Sequence, residues 1–434
     1  MFAAFAAALT ALQFAPAPDL DEARRLMDAA VGAGTIPGAV LVVGRGGDVV
    51  HQSAHGERAP GVPMTLDTVF DLASLTKSVA TSSSVMVLVQ DGRLRLSDRV
   101  SAILPRFTGG EKEAVTVEQL LLHTGGLAAA NHLDDYRDGP AEAIARICAR
   151  DLVAAPGEKF IYSDLGYILL GEIVRAVSGE PLDRFSARRV HGPLGMGETS
   201  YGPLEGARLG RCAPTSPDGA GAGAVHDPRA RALGGVAGHA GLFSTAADLS
   251  RFCGMLAGAE PDGSPLGPAA RAELIRPRLL EGGAVARALG LDVASPYDSP
   301  RGARFPRYLS FGHTGFTGPC YWIDRASGVW YLLMVSRLQA DPAPSLSPLR
   351  RAVADAVAGA FGVEAAPRAA HVKTGVDVLV EEDFARLRGR RLALITNVTG
   401  RCRDGRRTID ALHSAQGVEL VRLFSPEHGL FAKL

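Results

Sequence analysis

Phe70-Asp71-Leu72-Ala73-Ser74-Leu75-Thr76-Lys77-Ser78 is the stretch on which the reading of this chain turns. A polar turn gives way there to an apolar run that continues through Val79 to Gln90 and stops at Asp91-Gly92, the pattern of a buried helix. Three residues apart on that helix, Ser74 and Lys77 project from one face, so hydroxyl and amine can meet. A serine hydroxyl is a poor nucleophile until its proton is taken, and a partly buried neutral lysine can take it. The chain carries five lysines against forty-one arginines, so its basic positions default to arginine. Arginine cannot deprotonate in a protein and could not replace Lys77 as a base.

The surrounding chain bounds the possibilities. Its 434 residues are enough for two domains, and 47% apolar with 21% charged residues is the balance of a globular enzyme. Net charge is zero, which argues against nucleic acid or an anionic membrane surface as partner. The five cysteines (Cys148, Cys212, Cys253, Cys320, Cys402) are scattered, with neither metal-ligand spacing nor a disulfide framework, and read as isolated buried residues. Residues 1–18 are rich in alanine and phenylalanine and end in Ala15-Pro16-Ala17-Pro18. They read as a leader segment that lacks the usual positive start, so export to the periplasm or beyond is expected. No other stretch approaches the ~18–20 apolar residues of a membrane span.

Along the chain, Asp19 to Gly32 predicts a first helix, and Ala39 to Val43 followed by Gly46-Gly47 and Val49-Val50 a hairpin. Val117 to Leu122 is a short helix, with His123 placed to cap its end, and Leu165 to Val177 is an apolar helix ending near Gly179. The glycine- and proline-rich stretch from Pro214 to Gly241 predicts a surface loop or active-site wall. Phe311 to Arg337 predicts two strands turning at Asp324 to Gly328, and a closing helix runs from Pro348 to Phe361. Strands at both ends with helices between them imply an α/β sandwich, mainly an antiparallel sheet flanked by helices, with an all-helical region inserted. An alanine-proline linker over 363–372 separates this domain (19–362) from a second one (373–434). There the pattern runs strand (Val376–Val380), helix (Asp383–Arg388), strand (Arg391–Thr396), helix (Thr408–Ala415), strand (Glu419–Phe424), the start of a doubly wound parallel α/β domain. At roughly sixty residues it is too short to complete one and reads as truncated.

With these elements placed, residues 20–362 resemble the serine beta-lactamase and penicillin-binding-protein family, in its class C and esterase-like branch. The resemblance is carried, in order, by Ser74-Leu75-Thr76-Lys77, Tyr162-Ser163-Asp164, Gly238-His239-Ala240-Gly241-Leu242-Phe243-Ser244-Thr245 and His313-Thr314-Gly315. Leu121-Leu122-His123-Thr124-Gly125-Gly126 and Pro156-Gly157-Glu158-Lys159-Phe160 support it. It implies acyl transfer without a cofactor or metal: Ser74 attacks a carbonyl, Lys77 accepts its proton and Tyr162 relays protons. The backbone N–H groups of Ser74 and Phe316 form the oxyanion hole, and Asp164, His313, Thr314 and Gly315 line the substrate site. Two positions depart from the family pattern. Asp164 replaces the usual asparagine, and a carboxylate only accepts hydrogen bonds; it could instead hold Lys77 by charge and make it a poorer base. His313 replaces the usual lysine and, neutral near pH 7, would grip a substrate carboxylate less well. Both argue against efficient penicillin hydrolysis. Lys373-Thr374-Gly375 spells the lysine version of the third motif but lies after the closing helix, away from the paired strands the fold requires.

Other residues admit plainer readings. Taken alone, Ser74 could be a helix-start serine and Tyr162 a core tyrosine; His239 could touch the pocket or only pack a loop. Asn131-His132-Leu133-Asp134-Asp135 reads as an exposed polar loop, since no second ligand cluster accompanies it.

Residues 373–434 are similar to the N-terminal part of the exo-beta-N-acetylmuramidase family, through Gly375-Val376-Asp377-Val378-Leu379, Leu394-Ile395-Thr396-Asn397 and Phe424-Ser425-Pro426-Glu427-His428-Gly429. Glu427 is the implied glycosidic acid with His428 beside it, but with the rest of that domain missing no glycosidase activity is expected. The pairing points to peptidoglycan turnover, with a muropeptide or other small molecule as substrate. A general carboxylesterase and a catalytically silent muropeptide-binding module remain the alternatives, with a glycosidase carrying an accessory domain behind them.

Overall fold

The computed structural model describes residues 18–215, 221–261, 263–339, 342–363, 375–396, 400, 402 and 406–425. The chain divides into two compact units, Met1–Ala365 and Ala366–Leu434. In the first unit the strands are β1 (Gly38–Arg45), β2 (Asp48–Ala59), β3 (Val62–Pro63), β4 (Val69–Asp71), β5 (Ser200–Tyr201), β6 (Leu242–Thr245), β7 (Arg278–Leu280), β8 (Val285–Ala288), β9 (Leu291–Ala294), β10 (Ser310–Thr314), β11 (Cys320–Asp324) and β12 (Val329–Val335). Nine of them form one sheet in the order β3-β2-β1-β12-β11-β10-β9-β8-β7. The segment from Phe311 to Arg337 holds three strands rather than two, because Gly315 to Pro319 breaks the first run.

β1 pairs antiparallel with β12, Ala39 opposite Val335 and Gly44 opposite Trp330, so the two ends of the domain meet in the middle of the sheet. β12 is apolar throughout, and β1 up to its exposed end at Arg45, because both faces are covered. Val40, Val42, Trp330, Leu332 and Met334 point into the large core shared with the helical region. Their alternates Ala39, Leu41, Val43, Tyr331, Leu333 and Val335 meet Ala23 and Met27 of the first helix and Val353 and Val357 of the closing helix, Ser347–Ala360. At ~1.5–3 kcal/mol for each large side chain fully buried, these two layers dominate the unit's stability.

The helix Asp164–Ser178 runs through the large core, and Gly238 lies against its backbone. A Cβ on Gly238 would stand 1.9 Å from the Tyr167 carbonyl oxygen, so this crossing accepts only glycine. The approach brings the Gly-rich segment ending at Gly241 into the wall of the site described below. All five cysteines are buried. Among the described residues no helix is long and apolar enough to cross a membrane.

In the second unit Arg391–Ile395 and Glu419–Phe424 pair in parallel, with the helix Thr408–His413 between them in sequence. The strand expected at Val376–Val380 is instead a helix, Gly375–Glu381. Val376, Leu379 and Val380 stand at helical spacing and pack together around Phe384, and that period overrides the β-branched composition. The helix expected at Asp383–Arg388 shrinks to a single turn, Ala385–Leu387, because Asp383 and Phe384 both take positive φ. Lys373, Thr374, Glu427, His428, the linker beyond Val363 and the leader through Ala17 lie outside the described residues.

Candidate active site

The nucleophile candidate stands on a strained turn. Ala73 has φ +44°, a conformation that costs a non-glycine residue energy. Asp71, buried at the end of β4, holds it: one carboxylate oxygen accepts the Ala73 N–H and the other the His226 N–H, each at 2.8 Å. Burial pushes the Asp71 carboxyl up to about 6, against the pull of those two N–H groups. Immediately after, Lys77–Ser82 winds as a π-helix before the α-helix Ser83–Gln90, a widening that recurs at functional sites.

Lys77 is fully buried. Its Nζ lies 3.1 Å from Ser74 Oγ, 3.2 Å from the His239 carbonyl and 2.7 Å from Asp164 Oδ1. Burial works against its charge, but Asp164 and Tyr162 outweigh burial and raise its pKa above the ordinary lysine value. Asp164 likewise is held below the ordinary carboxylate range, burial being outweighed by Lys77. The resting site thus contains an ammonium–carboxylate pair.

Tyr162 stacks on His123, ring centroids 4.4 Å apart, and its own centroid is 4.9 Å from Lys77 Nζ. Burial raises its phenol, with Lys77 pulling the other way. His123 caps its helix as expected: at positive φ its N–H reaches the Leu120 carbonyl at 3.1 Å, and the Thr124 N–H reaches the Gln119 carbonyl at 2.8 Å. Its Nδ1 accepts the Ser163 N–H at 3.0 Å, and the Asp164 N–H reaches the Ala129 carbonyl at 2.8 Å, so the Tyr162-Ser163-Asp164 turn is pinned from beneath.

β10 delivers the third motif. His313 is buried, and its Nδ1 lies 2.8 Å from the Thr314 carbonyl, so that nitrogen carries the hydrogen. Burial, then Arg287 and Lys77, push its pKa well below 6.5, so the ring is neutral. The following loop is clamped on every side. Thr317 Oγ1 donates to the Asp71 carbonyl at 2.7 Å, Arg337 Nε to the Phe316 carbonyl at 2.7 Å and Arg350 to the Gly318 carbonyl at 2.6 Å. No acceptor among the described residues takes the N–H of Ser74 or of Phe316. Ser74, Tyr162, His313, Thr314, Gly315 and Phe316 line one cleft of about 420 Å³, while Lys77 lies buried against Ser74 and pairs with the partly exposed Asp164.

Four contributors were not singled out from the sequence. Asp71 carried a local signal, an aspartate two residues before the position it caps. His123 was expected only to cap its helix, which it does, and the second task of its ring, holding the Ser163 N–H, was not foreseen. Asp227 bonds His239 Nε2 at 3.0 Å, and Arg287 packs over Tyr162; both are joined to the site only by tertiary contact. Asp164, Asp227 and His239 bring one ligand atom each within 4.8 Å of one another, a metal-like grouping in which Lys77 already neutralises Asp164.

With this geometry in place, the comparisons with known proteins fall on the same segments. Residues 23–355 match the beta-lactamase family, and residues 392–434 match the N-terminal part of exo-beta-N-acetylmuramidase NamZ. The chain is 34% identical over 261 residues to an N-acetylmuramyl-L-alanine amidase of Bacillus subtilis (strain 168), covering 50% of this chain and 58% of that protein. It is 36% identical over 259 residues to penicillin-binding protein 4 of Amycolatopsis lactamdurans, covering 56% and 65%. Each alignment spans less than two thirds of the relative. Among solved structures, a penicillin-binding protein homologue from Caulobacter crescentus superposes with a TM-score of 0.66 at 25% identity, over 80% of this chain and 99% of that one. Through a match that spans the nucleophile turn, the Tyr162 turn and the β10 motif together, the chain belongs to the beta-lactamase family.

Proposed function

We propose that the first unit is a serine hydrolase that cleaves an amide or ester in peptidoglycan-derived fragments through an acyl-enzyme on Ser74. The observation that carries this is the 3.1 Å approach of Lys77 Nζ to Ser74 Oγ beside a cleft lined by Tyr162 and the Phe316 loop. The relative from Bacillus subtilis, an N-acetylmuramyl-L-alanine amidase, and the muramidase-like second segment favour a muropeptide substrate.

In this mechanism Ser74 Oγ adds to the carbonyl carbon and its proton leaves to the Lys77–Tyr162 pair. The carbonyl oxygen becomes an oxyanion facing the Ser74 and Phe316 N–H groups. Collapse breaks the bond to the leaving nitrogen or oxygen, which takes the proton back from the pair. Water then attacks the acyl group, and Ser74 recovers its proton. Spacing alone assigns Lys77 as the acceptor. The 2.7 Å contact with Asp164 keeps Lys77 cationic, so the proton missing from the active pair is Tyr162's, with Lys77 as the counter-charge of the phenolate.

A carboxylesterase is the second reading, favoured by the neutral His313, which offers no positive charge to a substrate carboxylate. Mass spectrometry of a defined muropeptide pool, incubated with the purified protein or with Ser74→Ala, separates the two. Ser74-dependent loss of a stem peptide or a terminal residue is the expected result. An untouched pool alongside Ser74-dependent hydrolysis of simple acyl esters would replace it with the esterase reading. A pool and esters that are both untouched would leave neither.

A further inference from the structure

Arg287 and Asp292 form an ion pair in which both side chains are fully buried. Arg287 Nε and one terminal nitrogen find no acceptor among the described residues. Burying a charge is costly, and leaving its N–H groups unmet is costlier still. What the guanidinium does touch is aromatic: its Cζ is 5.2 Å from the Phe160 ring centroid and 5.9 Å from that of Tyr162. These distances fall inside the ~6 Å range over which a cation is attracted to a ring. Ser295 also donates to Asp292 Oδ1 at 2.7 Å, and Asp292 Oδ2 has no partner among the described residues.

We propose that Arg287, anchored by Asp292, is a positioning residue for the proton relay, its guanidinium stabilising the negative charge that the Tyr162 oxygen carries while a proton moves from Ser74. This rests on the acyl-transfer reading above. Two cations then flank one phenol, Lys77 at 4.9 Å from the ring centroid and Arg287 at 5.9 Å. The remaining groups around Tyr162 are His123 stacked beneath it, Tyr297 at 4.9 Å, His313 at 6.3 Å, and Asp164 and Tyr167, which act on its charge. The two histidines are neutral, their pKa values driven well below the ordinary one by burial first and by Arg287 next. Of the carboxylates, Asp164 raises the phenol and is occupied by Lys77, while Asp292, which lines the same cleft, is occupied by Arg287. Arg287 is thus the second cation over the phenol, paired with Asp292 as Lys77 is with Asp164.

The test titrates Tyr162 directly, so it does not depend on knowing the substrate. Ultraviolet difference spectra against Tyr162→Phe isolate the formation of its phenolate in the full chain. Arg287→Met with Asp292→Asn removes both charges together, which spares the fold the burden of an unpaired buried acid; Arg287→Lys keeps the charge. In the double variant the Tyr162 phenolate should form about one pH unit or more higher than in the native chain, and Arg287→Lys should restore most of that difference. Superimposable titrations in the native chain and a folded double variant would overturn the proposal. Failure of Ser74→Ala to affect any turnover would instead remove the acyl-transfer reading and leave the titration result standing by itself. If the double variant does not fold, the Arg287→Lys titration decides: a phenolate shifted as far as the loss of a cation requires, with the charge still present, would refute the role.

Discussion

Replacing Asp164 by asparagine should make the enzyme a better catalyst near neutral pH, although it leaves the buried Lys77 without its ion-pair partner. Lys77 Nζ and Asp164 Oδ1 are 2.7 Å apart. At an effective dielectric constant of about 20, two unit charges at that separation attract by roughly 6 kcal/mol. Part of that attraction is spent against the burial that pushes both groups towards neutrality. The net effect on the proton-carrying pair is therefore set at about one to three pKa units, ~1.4–4 kcal/mol. The sign follows from the direction of each shift. Asp164 raises Lys77 and also raises Tyr162, so it keeps protons on both members of the pair that must lose one. Removing the carboxylate charge lets that proton leave at lower pH. The assay is kcat/KM for a chromogenic acyl ester across about pH 6–10, whose rising limb reports the free enzyme's pair. In Asp164→Asn the limb should move down by one to three units, a gain of tenfold or more on the rise. A limb that stays in place, or a uniform loss at every pH, would refute the argument that Asp164 restrains the relay.

Asp71→Asn leaves one of the Ala73 and His226 N–H groups without an acceptor, at about 1–3 kcal/mol, and loosens the turn beneath Ser74; chemical denaturation and kcat should both register it. The same residue has a pH signature. Its folded-state pKa of about 6 lies above the ordinary carboxylate value, so its linkage favours the folded state as pH falls from about 6 to about 4, and Asp71→Asn should abolish that gain in melting experiments. Asp164 has the opposite sign: its depressed pKa means that its stabilisation is present above the unfolded-state value and lost as pH falls through the folded one, so Asp164→Asn should flatten the acid side of the melting profile. His123→Phe keeps a ring under Tyr162 but orphans the Ser163 N–H, so a loss of about 1–3 kcal/mol in stability is expected, with kcat falling more than KM rises. Gly238→Ala should fail to fold or melt far lower, because the added Cβ meets backbone, not a movable side chain. An unchanged melting temperature in that variant would show that the crossing at Tyr167 is looser than described.

Much of the fold was readable before any coordinate, because each element carried its own period. The apolar runs that became β1 and β12, the helix entered at Asp164 and the closing helix are local patterns, and local patterns survive without knowledge of their neighbours. The errors fell where two periods compete over a few residues. Val376 to Val380 satisfies both a strand and a helix, and only the packing around Phe384 chooses. His123 does cap its helix end, as its position implies, but the second task of its ring was not legible there, since the turn that brings the Ser163 N–H within 3.0 Å of it is forty residues away.

Of the site, the sequence by itself determined which residues could act: Ser74 and Lys77 share a helical face because three residues make almost one turn. It also showed that Asp164 and His313 depart from the usual motif pattern, where a carboxylate cannot donate and an imidazole need not be charged. What tertiary structure alone decided is the charge each group carries. That depends on burial and on distances between segments far apart in the chain: Asp164 at 2.7 Å from Lys77, Asp227 at 3.0 Å from His239, and the Arg287 guanidinium against Tyr162. Electrostatic energy falls with distance and with dielectric constant, and neither is written in a sequence until the chain has folded.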